Sequence, residues 1–167
     1  MEQLTHYNTN FIKRSFPILL VCENVNNAPN IGGLFRISDA FGIEKLILCG
    51  ETVSLGRKMK KTSRATENVV DFEVKDSALQ VTEEAKRQGY SVISLEITAN
   101  SQPIHSFRFS KNKPIVLVIG DENFGVSKDI LKLSDSVIHV DMYGQNSSMN
   151  VVQAASIALY EITKQII

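Results

Sequence analysis

"PILLVCENVNNAPNIGGLFRISDAFGIEKLILCG", residues 17–50, is the stretch that decides the fold of this chain. Its two ends, PILLVCE and KLILCG, are short apolar runs typical of strands that are buried on both faces of a sheet. Between them lies a helical segment, which Pro29 introduces and for which Asn30 is the expected capping residue. Strand, helix and strand in this order predict a parallel βαβ unit.

The same alternation continues to the end of the chain. Further strands are predicted at residues 68–74, 90–97, 114–120 and 136–142. An amphipathic helix is predicted between them, with Asp76 or Ser77 as its N-cap and Gly89 as its stop. The pattern therefore predicts an α/β fold with a mostly parallel six-stranded sheet and helices on both faces.

The last predicted helix, VVQAASIALYEITKQII, is apolar on more than one side. One stripe contains Val151, Ala155, Ala158 and Ile162, and a second contains Val152, Leu159 and Ile166. One stripe can pack on the sheet, whereas the other needs a partner. We therefore expect a homodimer through this helix.

Composition favours an ordinary globular protein. The chain has 167 residues, of which 43% are hydrophobic and 22% are charged, as expected for a single domain. No apolar run approaches the roughly eighteen residues that span a bilayer, and the start lacks the plan of a signal peptide. We expect no membrane association and a cytoplasmic location.

The cysteines and histidines suggest no metal site. Cys22 and Cys49 lie in apolar runs without a CxxC or a Cys/His cluster, so two buried free thiols are expected rather than a zinc site or a disulfide. The three histidines, His6, His105 and His139, are scattered along the chain, and the sequence assigns them no role.

A basic run interrupts an otherwise neutral sequence. The chain carries 18 basic and 18 acidic residues, so any nucleic acid must be held by a local patch. The candidates lie in GRKMKKTSR, residues 56–64, and are Arg57, Lys58, Lys60, Lys61 and Arg64. Such a run is either a solvated loop or a set of phosphate contacts.

The first of three loops that follow strands contains an unusual arginine. In NNAPNIGGLFR, Arg36 lies inside the predicted helix among Leu34, Phe35 and Ile37. A guanidinium gains nothing there unless a carboxylate or a phosphate meets it. Gly32 and Gly33 allow another backbone or a phosphate to come close.

The other two loops carry polar side chains at the corresponding edge of the sheet, where open α/β folds bind ligands. In VIGDENFGVS, Glu122 is a solvated turn residue, a cap or the partner of Arg36. In VDMYGQNSSMNVVQAAS, Ser147 or Ser148 is the expected N-cap of the last helix. Asn150 is then left without a capping duty and directed at the crossing of the loops.

Together, NAPNIGGLFRISDAFG, IVLVIGDENFGVS and VIHVDMYGQNSSMNVVQAASIALYE resemble, in order and spacing, the three signature motifs of the SpoU/TrmH family. These are RNA ribose 2′-O-methyltransferases of the SPOUT class. The resemblance implies one such domain over residues 1–167, with residues 1–16 as a short N-terminal extension. It also implies a C-terminal deep trefoil knot, a homodimer and S-adenosylmethionine as cofactor.

The resemblance also implies roles for individual residues. The motif positions that match the family's catalytic residues are Asn30, Arg36, Glu122, Ser148 and Asn150. Those that match cofactor contacts are Leu95, Gly120, Glu122, Val140, Ser148 and Met149. Arg36 would bind the substrate phosphate and activate the ribose hydroxyl, with Asn30 and Glu122 orienting it, and no metal would be needed.

The implied substrate is RNA, with tRNA expected first. The alternatives are an rRNA 2′-O-methyltransferase and a non-catalytic RNA-binding protein that retains the fold. The catalytic domain itself would grip the RNA, which makes the basic run a candidate phosphate contact. Two positions depart from the family: Asn123 follows the motif-two glutamate, and Asp141 stands where the family commonly has a proline that stiffens the cofactor loop.

Overall fold

The computed structural model describes residues 3–4 and 8–167; His6 lies outside this part. The strands are β1 (Phe16–Glu23), β2 (Ile43–Cys49), β3 (Phe72–Lys75), β4 (Ser91–Leu95), β5 (Gln102–Pro103), β6 (Ile115–Ile119) and β7 (Ser136–His139). The α-helices are α1 (Ala28–Ala40), α2 (Arg57–Ser63), α3 (Ala78–Arg87), α4 (Lys128–Leu133) and α5 (Val151–Ile166). Short 3₁₀ turns cover Thr66–Asn68 and Ile104–Ser106.

The strands form one parallel sheet in the order β3-β2-β1-β6-β4-β7-β5. The α/β class and the parallel pairing are thus confirmed, but the predicted number of six strands is wrong, because the sheet has seven. The missed strand is β5, which pairs only with β7 at the sheet edge. Its two residues, one of them a proline, are too few to show the alternation that marks a strand.

Both faces of the sheet are buried, because alternate side chains of each central strand enter different cores. In β1, Ile18 and Leu20 belong to the core under α1 and α5. Leu19 and Val21 belong to the core under α3 and α4. A strand buried on both sides needs apolar residues throughout, which is why the continuous runs predicted the central strands well.

The predicted third strand is only partly correct. The structure begins β3 at Phe72, whereas Asn68, the first residue of the predicted strand, ends the 3₁₀ turn Thr66–Asn68 and Val69 is exposed. In the sequence, the apolar residues Val69 and Val70 look like the start of a strand, but they are not part of the sheet.

Helix α5 buries more of its surface than its two stripes suggested. The first stripe is buried, and so is Leu159 of the second stripe, with no exposed surface. The exposed apolar side chains of α5 are instead Ile157 and Tyr160, with exposures of 41% and 59%. No helix among the described residues is long and apolar enough to cross a membrane.

Candidate active site

Three side chains from three different loops meet at the carboxyl edge of the sheet. Asn30 Nδ2 donates to Glu122 Oε1 over 2.5 Å. Asn150 Nδ2 donates to Asn30 Oδ1 over 3.0 Å and to Glu122 Oε1 over 3.3 Å. The structure therefore brings together three of the residues selected from the sequence.

The direction of this network follows from its two ends. Val152 N, which can only donate, binds Asn150 Oδ1 over 2.9 Å, so the amide nitrogen of Asn150 must face Asn30. Asn30 Oδ1 receives that bond, so its own amide nitrogen must face Glu122, whose ionised carboxylate can only accept. Each amide is consequently held in one orientation.

The capping residues differ from the predicted ones. The N-cap of α1 is Asn27, whose side chain accepts from Asn30 N over 3.2 Å. Asn30 therefore lies in the first turn, where its side chain is free to turn toward Glu122. The N-cap of α5 is Asn150 itself, not the predicted Ser147 or Ser148. Asn150 therefore caps the helix as well as joining the network.

A cavity of about 310 Å³ adjoins the network. Its lining includes all the residues that matched cofactor contacts, namely Leu95, Gly120, Glu122, Val140, Ser148 and Met149. Glu96, Asp121 and His139, which the sequence analysis did not select, also line it. The volume falls in the range of about 300–1,000 Å³ that is usual for small-molecule pockets.

The wall of this cavity formed by residues 120–126 is a tight turn. Asp121 Oδ1 accepts from Asn123 N and Phe124 N over 2.8 and 2.7 Å, and Glu96 Oε2 accepts from Val126 N over 2.9 Å. A Cβ at Gly120 would meet the backbone of Gly125, so the turn closes over a residue without a side chain. Glu96 gave no sequence signal, because its partner lies 30 positions away.

Arg36 does not join the network. Its residue is exposed on α1, and within the described part of the chain it forms no ion pair with Glu122 or any other acid. In this structure Glu122 is not paired with Arg36 and instead accepts from Asn30 and Asn150; the orientation of Arg36 by Asn30 and Glu122 stays a prediction. The guanidinium remains available to a partner from outside.

The two glycines before Arg36 serve helix packing. A Cβ at Gly32 would lie 2.5 Å from Met59 O and 2.7 Å from Thr62 Cβ, both on α2. A Cβ at Gly33 would lie 3.0 Å from the Val152 side chain on α5. The close approach expected at this point is made by protein groups, so the expectation that these glycines admit a phosphate is wrong.

The basic run forms helix α2 rather than a loop. Met59 and Ser63 are its buried residues, which leaves a solvent-facing side that carries all five cations, Arg57, Lys58, Lys60, Lys61 and Arg64. None of these cations pairs with an acid among the described residues. An unpaired cationic face of this kind can accept phosphates.

The described residues contain no group of three or more His, Cys, Asp and Glu side chains that could hold a metal ion. Cys22 and Cys49 are free and buried, which agrees with the sequence prediction. Burial raises the pKa of the Cys49 thiol to about 12.

Comparison with known proteins places the chain in a family. It belongs to the SpoU rRNA Methylase family, whose model matches residues 17–160. The tRNA (guanosine(18)-2′-O)-methyltransferase of Aquifex aeolicus is 29% identical over 153 residues, covering 92% of this chain and 72% of that protein. A 23S rRNA (guanosine-2′-O-)-methyltransferase of Ralstonia nicotianae is 26% identical, covering 89% of this chain and 59% of that protein.

Solved structures show the same fold. The SpoU methyltransferase AviRb of Streptomyces viridochromogenes, in complex with the cofactor AdoMet, has a TM-score of 0.78 and 25% sequence identity. The match covers 92% of this chain and 62% of AviRb.

Proposed function

We propose that this protein transfers a methyl group from S-adenosylmethionine to a ribose 2′-hydroxyl of RNA, with tRNA as its substrate. The observation that carries the proposal is the directional network of Asn30, Glu122 and Asn150 beside the 310 Å³ cavity. Family membership and the names of the similar proteins supply the reaction and the substrate class.

The cavity has the chemistry that the cofactor requires. Its acidic side chains, Glu96, Asp121 and Glu122, suit a cationic sulfonium. Apolar groups such as Leu95, Val140 and Met149 suit its adenosine portion. When bound, the cofactor would supply an electrophilic methyl group; Glu122 and Ser148 line the cavity that would hold it, and Asn150 is hydrogen-bonded to Glu122.

Glu122 lies between two openings. Besides the cofactor cavity, it lines a second cleft of about 300 Å³ together with Asn26, Asn27 and Asn123. This cleft is polar, and the substrate ribose enters it so that its 2′-oxygen lies near Glu122. Holding both reactants in line across one carboxylate provides the positioning on which methyl transfer depends.

Arg36 meets the substrate phosphate and, through it, assists the ribose hydroxyl. Support comes from its exposed place on α1 without an internal partner, since a guanidinium binds phosphate in a bidentate manner. The cationic face of α2 holds neighbouring phosphates. Arg36 and the cations of α2 make no ion pairs among the described residues, so these side chains can bind RNA without breaking an existing ion pair.

The proposal includes the deep trefoil knot, the homodimer and the cytoplasmic location. For the knot, the support is family membership together with the sheet order, in which the later strand β6 lies between β1 and β4. The dimer is supported by the exposure of Ile157 and Tyr160 on α5. A second copy of the chain packed on this helix would bury both apolar side chains. A cytoplasmic location fits an RNA substrate.

The direct test is transfer of radiolabelled methyl groups from S-adenosylmethionine to purified tRNA or rRNA. We expect incorporation into tRNA and, after nuclease digestion, a 2′-O-methylnucleoside by mass spectrometry. Labelling of rRNA alone would mean that the substrate is rRNA and not tRNA. If calorimetry shows no binding of S-adenosylhomocysteine, the alternative hypothesis of a non-catalytic RNA-binding protein would replace this proposal.

A further inference from the structure

The loop that closes the cofactor cavity is held by few polar contacts. Residues 141–149 run from the end of β7 to the N-cap of α5 without regular structure. Among the described residues, Asp141 makes the only hydrogen-bond or ion-pair contacts of this segment. Tyr143 and the residues up to Ser148 are exposed.

Asp141 lies between two histidines that the function has not used. Its Oδ1 is 3.3 Å from His139 Nε2 at the end of β7, and its Oδ2 is 3.1 Å from His105 Nδ1 on the 3₁₀ turn Ile104–Ser106. The side-chain exposures are 19% for His139, 29% for Asp141 and 67% for His105, so His139 is the more shielded of the two partners. The loop is thus tied to two elements at once.

The third contact fixes the histidine ring. His139 Nδ1 lies 2.9 Å from Ser101 Oγ, and Ser101 exchanges hydrogen bonds with the backbone of Thr98. The contact between His139 Nε2 and the Asp141 carboxylate is at ion-pair distance. Because Ser101 has one hydroxyl proton, it accepts from Nδ1 of His139 when it donates to Thr98 O.

The neighbours of Asp141 show what this contact positions. Val140 and Met142 line the cavity, and so does His139, whereas Asp141 itself does not. The residues on either side of Asp141 therefore face the cavity, while Asp141 contacts the two histidines.

We infer that Asp141, clasped by His139 and His105, is a positioning residue that holds the cofactor loop in its binding shape. This inference rests on the proposed function, since it assigns how tightly the cofactor is held. Without the clasp, the loop must be ordered each time the cofactor binds, and that entropy cost lowers affinity.

The test measures binding of S-adenosylhomocysteine by calorimetry to the full chain, wild type and Asp141→Ala. We expect the dissociation constant to rise about tenfold, because the released loop must be ordered when the ligand binds. Asp39→Ala, which removes an exposed acid from α1, is the matched control and should bind as the wild type does. In turnover, the KM for S-adenosylmethionine should rise more than kcat falls, whereas general damage to the site would lower kcat.

A second readout does not need the cofactor. Long-range ¹H–¹⁵N spectra of the histidine rings at pH 8 should show different ring-nitrogen shifts for His139 and His105 in the wild type and in Asp141→Ala, because the carboxylate lies 3.3 and 3.1 Å from those rings. Unchanged affinity in Asp141→Ala, or ring-nitrogen shifts that are the same in both proteins, overturns the inference while leaving the proposed function intact. Shifts that differ as expected, together with a wild type that binds no S-adenosylhomocysteine, overturn the proposed function and, with it, the role of the clasp in cofactor binding.

Discussion

The amide of Asn30 donates a 2.5 Å hydrogen bond to the carboxylate of Glu122, a residue 92 positions further along the chain. The same carboxylate oxygen accepts from Asn150 over 3.3 Å. Glu122 Oε1 is therefore the acceptor on which two loops converge.

Replacing Glu122 with glutamine should preserve the shape of the site and remove the carboxylate charge. We expect methyl transfer to fall about tenfold to a hundredfold, since hydrogen bonds to a charged group contribute about 1.5–3 kcal/mol. Single-turnover transfer of labelled methyl groups to tRNA measures the loss. The matched control is Asp129→Asn, an exposed acid of α4, and equal activity of both variants would remove Glu122 from the mechanism.

Arg36→Ala should abolish methyl transfer without affecting the fold. Because Arg36 is exposed and unpaired within the described chain, its removal should change the free energy of unfolding by less than about 0.5 kcal/mol. Calorimetry should show unchanged binding of S-adenosylhomocysteine. Wild-type activity in this variant would contradict the assigned phosphate contact.

Gly32→Ala should destabilise the fold. The added Cβ would lie 2.5 Å from Met59 O and 2.9 Å from Ser63 N, so α1 and α2 must move apart at a cost of about 1–3 kcal/mol. Urea unfolding followed by circular dichroism measures the change. Gly56→Ala, where nothing lies within 4 Å of the added atom, should be close to neutral, and a similar loss in both variants would refute the packing explanation.

The double variant Lys60→Ala, Lys61→Ala should bind tRNA more weakly than the wild type. Its affinity should also depend less on the salt concentration. Each lost phosphate contact should lower the slope of log affinity against log salt by roughly one. Filter binding at several salt concentrations gives both quantities. Lys128→Ala with Lys132→Ala on α4 is the matched control, because α4 packs on the other face of the sheet; an equal effect there would indicate a non-specific loss of charge.

The two cysteines should be unreactive in the folded protein. Burial, and then the neighbouring Cys49, raise the pKa of Cys22 well above its usual value, and burial raises the pKa of Cys49 to about 12. Since the thiolate is the reactive form, raising the pH from 7 to 9 should add little labelling by a disulfide reagent. Both thiols should react at once in denaturant, and rapid labelling of the native protein would contradict their burial.

The local pattern predicted the central strands because their side chains are apolar on both faces, as in β1 and β6. It failed at β5, where Gln102 and Pro103 carry no such pattern. It also misassigned the capping of α1 and α5, since a shift of a few residues decides whether Asn30 or Asn150 caps a helix or faces a ligand. The spacing of residues cannot reveal that Asn30 and Asn150 meet across 120 positions, and only the resemblance to a family suggested that they share a site.

The contact between Gly32 and Met59 also bears on how a substrate is selected. With α1 and α2 in backbone contact, the cations of α2 and the amide of Asn30 keep a constant separation. If the cations of α2 hold RNA phosphates as proposed, the reacting ribose must lie at a set distance along the strand from those phosphates. The protein would then select its nucleotide by position along the backbone, even where the bases differ.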